Sequence, residues 1–380
     1  MTSAATQRTL KALTGAIGSL AAIVAALLVG AVVIRMAGND PWEAYKALFN
    51  GAFRSKRAIG ETLVYSSPLI LGGLAFAIGA RAGLFNIGIE GQLVMGGFAA
   101  GLVGAWNLGL PAWLYLPLAL LASVVAGGIW GLIPGVLRAA TGAHEVISTI
   151  MLNYLAFRLI TYLIQKQSSW LPVDPNVQGT KKVVAAARLP KILDGTRVHA
   201  GILIALAAAI ILWLVLYKTT FGYRVRTVGL SRGAASYGGI NWGVTISIAM
   251  AISGALAGLA GAGEALGLHG RHYAAPPGYG FTAIAVGLVG QNNPLGVILS
   301  GLLFGVLSAG APLMQSQAGV SKEIVSVLQG LIILAVAAVA MAGRLPIFRR
   351  WQTPSKPDSD RASEVGMEPG IETRPGPTAL

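Results

Sequence analysis

Cysteine is absent from this chain of 380 residues, and charged side chains are scarce, at 11% of the total. Without thiols the protein has no disulfides, thiolate-bound metals or cysteine nucleophiles. Soluble domains carry roughly a quarter charged residues, so this chain has too little polar material to cover a surface that faces water. Hydrophobic residues instead make up 54% of the sequence. This composition predicts an all-α polytopic membrane protein.

The motifs of nucleotide hydrolysis and metal catalysis are also missing. No lysine follows a glycine, so the chain lacks the phosphate-binding loop of ATPases. Among the four histidines only His269 and His272 are placed to share a helix face, and no third metal ligand lies near them. The net charge of +14 is spread between apolar runs, which argues against a nucleic-acid partner. We therefore expect no enzyme activity, no cofactor and no metal site.

Nine apolar runs are long enough to cross a membrane. A helix rises ~1.5 Å per residue and the hydrocarbon core is ~30 Å thick, so a span needs about 20 residues. The nine runs are residues 12–34, 62–80, 87–106, 112–137, 146–165, 200–217, 244–263, 295–314 and 324–342. The shorter run 281–289 lies between segments rich in Pro, Gly and Asn. It predicts either a broken, half-membrane helix or a short helix that ends in a surface turn.

The polar segments between these runs predict the domain organisation. We expect a short N-terminal segment at 1–11, a membrane domain at 12–343 and a Pro-rich, disordered tail at 344–380. Two hydrophilic loops interrupt the membrane domain, at 166–199 and 218–243. Ten crossings would place both termini on the same side. Lys and Arg are nearly balanced between the two sides, so charge alone does not fix the orientation.

Residues 41–58 differ from the other polar segments because their apolar residues recur at helical spacing. The apolar positions include Trp42, Leu48 and Phe49, and basic residues lie between and after them. This pattern predicts an amphipathic helix that lies in the membrane interface.

Glu90 is the most suggestive ionisable residue at membrane depth. A buried charge costs ~2.5–3.5 kcal/mol or more in a membrane and therefore marks a functional site. Asn86 and Gln92 flank Glu90 on a glycine-rich stretch that is a poor straight helix. The alternative to a functional role is an ion pair with Arg81 that anchors a bend.

Further polar residues within the apolar runs are candidates for a solute path. We expect Arg158 to reach the membrane surface or to pair with Glu145 or Glu264. A neutral polar solute would be bound by amides and aromatic rings more than by fixed charges. The candidate path residues are Asn86, Glu90, Gln92, Asn153, Tyr154, Glu264, Tyr279 and Phe281.

Four stretches of the sequence resemble one family of transport proteins. They read SPLILGGLAF at 67–76, RAGLFNIGIEGQ at 81–92, GAHEVISTIMLNY at 142–154 and GYGF at 278–281. In this order they resemble the permeases of bacterial ABC importers in the branched-chain amino acid and simple-sugar superfamily. Within that superfamily the chain is most similar to the nucleoside-type group.

The resemblance implies ten helices in the bacterial inner membrane, with both termini cytoplasmic. It also implies that residues 218–243 lie in the cytoplasm and couple the permease to a separate ATPase subunit. The implied coupling residues are Phe221, Gly222, Arg224, Arg226, Gly229, Ala235 and Gly238. A second, related permease and an extracytoplasmic solute-binding protein complete the implied complex in the lipid bilayer. Its solute would be a nucleoside, or else a sugar or branched-chain amino acid, moved by alternating access.

The residues themselves agree with a coupling role for 218–243 but leave an alternative. Arg224, Arg226 and Arg232 can bind acidic groups of a partner, or they can simply form a basic cytoplasmic loop. The family commonly has Glu where this chain has Gly233, and Asp where it has Thr282. The second departure removes a carboxylate that could bind ribose.

Two other classes of protein remain compatible with the sequence. An ion-coupled secondary transporter would use Glu90, Glu145 or Glu264 as its coupling carboxylates. A membrane scaffold or membrane enzyme would need none of the partners above.

Overall fold

The computed structural model describes residues 4–166 and 171–342, so residue positions 1–3 and the predicted tail 344–380 lie outside the described residues. The described chain contains thirteen α-helices. They are α1 (Ala4–Met36), α2 (Pro41–Phe53), α3 (Lys56–Arg81), α4 (Ile89–Ala105), α5 (Ala112–Thr141), α6 (Glu145–Gln165), α7 (Gly201–Lys218), α8 (Thr220–Leu230), α9 (Arg232–Tyr237), α10 (Trp242–Ala262), α11 (Tyr279–Val289), α12 (Pro294–Ala318) and α13 (Glu323–Ala342). Two short antiparallel strands, β1 (Val173–Asp174) and β2 (Gly179–Thr180), form a hairpin. A π-helical turn, Gly263–Leu268, directly follows α10.

The chain is a helical, multi-pass membrane protein. Within the described ranges, α3, α5, α6, α7, α12 and α10 with its π-helical turn are long and apolar enough to span a membrane. Helices α1 and α2 meet at an angle of 119°, and they add a seventh span if the bent pair is one crossing. Each of the nine predicted runs falls on a helix, but α4, with 17 residues, is shorter than a full span. The predicted 281–289 helix is present as α11, which has only 11 residues.

Side-chain caps fix where several helices begin. A capping oxygen accepts a hydrogen bond from a backbone N–H that the first helical turn leaves unpaired. The capping residues are Asp40 for α2, Ser55 for α3, Thr219 for α8, Ser231 for α9, Asn241 for α10 and Asn293 for α12. Proline follows the cap in α2 and α12, where its missing N–H costs no hydrogen bond.

Small residues bring the membrane helices into backbone contact. A Cβ atom at Gly131 of α5 would lie 2.4 Å from the carbonyl oxygen of Met250 in α10, and one at Gly254 would lie 2.1 Å from the carbonyl oxygen of Gly127. No side chain fits at such distances. Helices in lipid gain little from the hydrophobic effect, so this close packing stabilises the α5–α10 pair through dispersion contacts.

The amphipathic helix predicted at 41–58 ends earlier, at Phe53 of α2, and residues 56–58 belong to α3. The apolar residues of α2 do not form one exposed face. Leu48 is buried against Gly310 of α12, while Trp42 and Phe49 are exposed. The Tyr45 hydroxyl donates a hydrogen bond of 2.6 Å to the Leu27 carbonyl of α1. The helix therefore packs on its neighbours with one side only.

The described part of the 166–199 loop is folded and hydrogen-bonded to the segment after the π-helical turn. Its β2 strand binds the segment after the π-helical turn, because the Thr180 N–H donates to the His272 carbonyl over 2.9 Å and the Thr180 hydroxyl accepts from the His272 N–H over 3.0 Å. The Val183 N–H also donates to the Gly270 carbonyl over 2.9 Å. These bonds fix one wall of the cavity described below.

Candidate translocation and coupling sites

The predicted polar cluster at the start of α4 forms a buried hydrogen-bond network. Asn86 donates to the Gln92 side chain over 2.9 Å and to the Ser253 hydroxyl over 2.8 Å, and it accepts from the Gly88 N–H over 2.8 Å. Asn86 and Gln92 are almost completely buried. Their polar atoms therefore hold the bend between α3 and α4, and they do not face open space.

Asn153 of α6 fastens the same bend from a different helix. Its side-chain oxygen accepts from the Gly91 N–H over 2.8 Å, and its amide nitrogen donates to the Ile87 carbonyl over 3.0 Å. The helix start leaves these two backbone groups without intrahelical partners. Side-chain amides, which both donate and accept, satisfy such pairs without burying a charge.

Glu90 caps the N-terminus of α11 instead of pairing with Arg81. One carboxylate oxygen accepts from the Gly278 N–H over 2.7 Å, and the other accepts a short hydrogen bond from the Gly280 N–H. Glu90 is 1% exposed. A negative charge at this end of a helix is stabilised by unpaired N–H groups and by the helix dipole. The predicted Glu90–Arg81 ion pair is therefore wrong.

Arg81 holds the opposite end of the same short helix. Its guanidinium donates from Nε to the Asn292 carbonyl over 2.8 Å and from Nη2 to the Gln291 carbonyl over 3.3 Å. A cation beside C-terminal carbonyls is the favourable arrangement for the helix dipole. Helix α11 is thus fixed at one end by an anion and at the other by a cation, which allows a helix of only 11 residues to lie among membrane helices.

A cavity of about 250 Å³ lies between the π-helical turn and the segment that precedes α11 in the sequence. Its polar lining residues are Glu264, His269, Arg271, His272 and Tyr273. Leu93 of α4 and the Pro276–Pro277 pair add apolar walls. The Glu264 carboxylate lies 3.3 Å from Nε2 of His269.

Two histidines near this cavity are buried outside the membrane-spanning helices. Burial and, secondarily, the nearby His269 lower the pKa of His272 to about 3. Burial lowers the pKa of His199 to about 4, and its Nδ1 accepts a hydrogen bond of 3.1 Å from the Gly201 N–H. Both imidazoles are therefore neutral at physiological pH, where each can donate from one ring nitrogen and accept at the other.

The structure brings some predicted path residues together and separates others. Tyr279, in the first turn of α11, is within electrostatic range of the Glu264 and Glu90 carboxylates. Tyr154 and Phe281 are instead 64% and 61% exposed, on the surfaces of α6 and α11. These two aromatic residues lie on outer faces of the subunit and not at the cavity.

Of the two alternatives for Arg158, the pairing with Glu145 or Glu264 is wrong, and the reach to the membrane surface stays a prediction. Glu145 lies 3.4 Å from Nε of Arg138, and Glu264 pairs with His269. Arg158 is exposed on α6, and it forms no ion pair with another described residue. The sequence did not reveal this, because a carboxylate pairs with whichever cation the fold brings near it.

The coupling segment predicted at 218–243 folds into α8 and α9, two short helices between α7 and α10. Phe221 packs partly buried against the core, Ala235 is buried, and Gly238 follows the end of α9. A Cβ atom at Gly222 would lie 2.1 Å from the Val215 carbonyl oxygen, and one at Gly229 would lie 2.1 Å from the Arg81 carbonyl oxygen. The two glycines therefore allow α8 to pack closely on α7 and on the end of α3.

Two of the three arginines expected to face a partner are engaged within the chain. Arg226 donates a hydrogen bond of 2.6 Å to the Leu216 carbonyl and lies over the Tyr217 ring. The Arg232 guanidinium lies 4.1 Å from the centre of the Trp242 ring, a cation–π distance. Arg224 is exposed and has no such contact among the described residues.

Three exposed apolar residues complete a surface that sequence reasoning missed. Tyr223, Leu230 and Tyr237 are 59%, 89% and 97% exposed. With Arg224 they form what we call the coupling surface. Large apolar side chains within a polar segment were the available signal.

The fold is that of a helical, multi-pass membrane subunit, and comparison with known proteins identifies its family. Residues 58–337 match the family described as branched-chain amino acid transport system / permease component, and the chain belongs to this family. It is 43% identical to the guanosine ABC transporter permease protein NupP of Bacillus subtilis, over 84% of this chain and 92% of that protein. It is 37% identical to the nucleoside ABC transporter permease protein NupB of Lactococcus lactis, over 84% and 89% of the two chains. It is also 38% identical to the glucose ABC transporter permease protein TsgB13 of Haloferax volcanii, over 82% and 84%.

The family assignment confirms the resemblance read from the sequence motifs. The chain is a non-enzymatic transport subunit, and its family implies an ATPase and a solute-binding protein as partners in a lipid bilayer. The ion-coupled, scaffold and enzyme alternatives lose their support, because the matched relatives are ABC transporter permeases.

Proposed function

We propose that this chain is a permease subunit of a nucleoside importer in the bacterial inner membrane. The folded coupling segment, with an exposed apolar and basic surface, is the observation that carries the proposal. Nucleosides are favoured over sugars because two of the relatives above are named for guanosine or nucleoside transport, the first at 43% identity. A solute-binding protein delivers the nucleoside, and a second, related permease completes the pathway.

In the proposed membrane orientation, ten segments cross or enter the bilayer and both termini are cytoplasmic. The membrane domain then extends over residues 12–343, with a cytoplasmic tail at 344–380. Helices α8 and α9 lie in the cytoplasm, and the 166–199 segment covers the extracytoplasmic side. Helix α11 runs from mid-membrane towards the cytoplasm. Tyr154 and Phe281 face the second permease.

This orientation predicts which introduced cysteines can be labelled in intact cells. The chain has no native cysteine, so each substitution creates a unique label site. Asn107→Cys, between α4 and α5, should react with a membrane-impermeant maleimide in intact cells, whereas Ser236→Cys in α9 should react only after permeabilisation. Both positions are exposed. Labelling of Ser236→Cys in intact cells would contradict the cytoplasmic placement of the coupling surface.

The coupling surface is expected to bind the ATPase mainly through its apolar residues. Replacing both Leu230 and Tyr237 by alanine should reduce copurification of the ATPase and ATP-driven guanosine uptake by about tenfold or more, because exposed aromatic and leucine anchors contribute ~1–2 kcal/mol each to such interfaces. Uptake is measured in proteoliposomes that contain the complete complex.

Tyr162→Ala provides the matched control for these substitutions. Tyr162 is also an exposed tyrosine, at 57%, but it lies on α6. ATPase copurification should stay within about twofold of wild type in this variant. Normal ATPase binding by the Leu230/Tyr237 double variant would refute the coupling role, and a wild-type complex that imports no nucleoside would refute the substrate assignment.

A further inference from the structure

The cavity beside the π-helical turn has unused hydrogen-bonding capacity. The Glu264 carboxylate is near His269 through Oε2, but Oε1 accepts no hydrogen bond from the described residues. Nε2 of His272, a residue that is 6% exposed, likewise has no hydrogen-bond partner within the described structure. Buried polar atoms without partners are costly and rare in folded proteins. His272 Nε2 is such an atom, and together with the available Glu264 oxygen it favours a polar ligand in the cavity that both residues line.

The charges around the cavity favour a ligand without net charge. Glu264 and Arg271 carry opposite charges, and His272 is neutral because burial lowers its pKa to about 3. An anion would meet the Glu264 carboxylate, and a cation would meet the Arg271 guanidinium. A neutral molecule with hydrogen-bond donors meets neither repulsion.

The size and lining of the cavity favour a ring-shaped ligand. Its volume of about 250 Å³ is close to the lower end of the range for small-molecule sites, ~300–1,000 Å³. The rings of His269 and Tyr273 stand edge to face with their centres 5.5 Å apart, and the Pro276–Pro277 pair forms an apolar wall. Aromatic and proline surfaces of this kind pack well against the face of a heterocycle.

We propose that this cavity binds the base of a purine nucleoside during transport, with Glu264 accepting hydrogen bonds from adjacent N–H donors on the edge of the base. This inference rests on the proposed function and assigns its solute site. A carboxylate accepts two parallel N–H bonds well. Guanine presents two adjacent donors, the ring N1–H and the 2-amino group, whereas hypoxanthine presents only the ring N–H and adenine an acceptor at that position. The site should therefore prefer guanosine to inosine, and inosine to adenosine.

The preference is tested by direct binding to the purified permease–ATPase complex in detergent, without the solute-binding protein. Radiolabelled guanosine, inosine and adenosine serve as probes in equilibrium dialysis. Glu264→Gln should weaken guanosine binding by ~10- to 100-fold, because a hydrogen bond to a charged acceptor is lost. Inosine binding should weaken less, so the preference for guanosine collapses. Glu323→Gln, which alters an exposed carboxylate at the start of α13, should leave both affinities within about twofold.

Other outcomes overturn the assignment. Unchanged guanosine affinity in Glu264→Gln, or no guanosine binding to the wild-type complex at millimolar concentration, would place the solute elsewhere. An equal loss for guanosine, inosine and adenosine would mean that the carboxylate holds the ribose hydroxyls and not the base. If Glu264→Gln fails to copurify with the ATPase, Tyr273→Ala replaces it, since Tyr273 is 42% exposed and its loss should weaken guanosine binding several-fold without unfolding the subunit.

ATP-driven uptake by the complete complex separates this proposal from the proposed function. If wild type and Glu264→Gln both import guanosine with the same KM and the same preference over inosine, the cavity assignment fails and the importer function stands. If the wild-type complex imports no nucleoside at all, the proposed function itself fails.

Discussion

Replacing Gly229 by alanine should uncouple ATP hydrolysis from nucleoside uptake. The new Cβ atom would lie 2.1 Å from the Arg81 carbonyl oxygen, a backbone atom that cannot rotate away. Helix α8 must then move off the end of α3, at a cost of ~1–3 kcal/mol for overpacking. We expect ATP-driven uptake in proteoliposomes to fall by about tenfold or more. Basal ATP hydrolysis by the complex should persist, because the coupling surface itself is unchanged.

Gly233→Ala is the matched control within the same segment. Its Cβ atom would have only the Ser231 hydroxyl oxygen nearby, at 3.8 Å, which is ordinary van der Waals contact. Uptake by this variant should stay within about twofold of wild type. Normal uptake by Gly229→Ala would show that the α8–α3 contact does not transmit motion between the ATPase and the membrane helices.

Arg81 links the contact between α8 and α3 to the segment after α11. Its backbone carbonyl packs against Gly229 of α8. Its side chain donates hydrogen bonds to the carbonyls of Gln291 and Asn292, which follow α11. One residue thus contacts both the proposed ATPase-coupling element and the segment that directly follows α11. A displacement of α8 would reach α11 through a single residue, without passing through the rest of the core.

The membrane helices could be predicted from the sequence because long apolar runs have few alternative structures in a bilayer. The run at 62–80 lies inside α3, and the run at 112–137 lies inside α5. The short α11 was also predicted, because the Pro- and Gly-rich flanks limit its length. The number of full crossings could not be read in the same way, since apolar length does not distinguish a spanning helix from a buried, tilted or half-membrane one.

The partners of charged residues could not be predicted, because they are distant in sequence. Glu90 bonds to backbone groups 188 and 190 residues away, and Arg81 bonds to a carbonyl 211 residues away. The partner atoms of both side chains belong to the main chain, which leaves no trace in a residue pattern. The alternative of a Glu90–Arg81 ion pair assumed that charged side chains pair with each other. The backbone groups at helix ends also carry partial charges of either sign and can take the place of a charged partner.

The arginines of the coupling segment show the same limitation. Their segment contains no acidic residue, so an outward-facing role for Arg226 and Arg232 was the direct interpretation. In the structure a carbonyl and an aromatic ring take the place of carboxylates. Guanidinium groups bind carboxylates, carbonyls and aromatic rings. Which of these lies next to a given arginine depends on the fold.

Loss of the Glu90 charge should have the largest effect on the solute path. In Glu90→Gln one amide oxygen can still accept a hydrogen bond, but the amide NH₂ must face a backbone N–H of Gly278 or Gly280. A lost charge-assisted hydrogen bond in a buried site costs ~1.5–3 kcal/mol, so the N-terminus of α11 should detach in a large fraction of molecules. Uptake should fall by about tenfold or more, and the thermal stability of the detergent-solubilised complex should decrease.

Glu43→Gln tests whether this effect belongs to the α11 cap and not to the loss of any carboxylate. Glu43 is more than half exposed, and among the described residues its one ion-pair partner is Lys46 of the same helix turn, at 3.4 Å. An exposed ion pair of this kind contributes ~0–1 kcal/mol. Stability and uptake should therefore stay close to wild type. Full uptake by Glu90→Gln would mean that α11 keeps its position without the anion at its N-terminus. The dipole of an 11-residue helix and its apolar contacts alone would then have to hold it among the membrane helices.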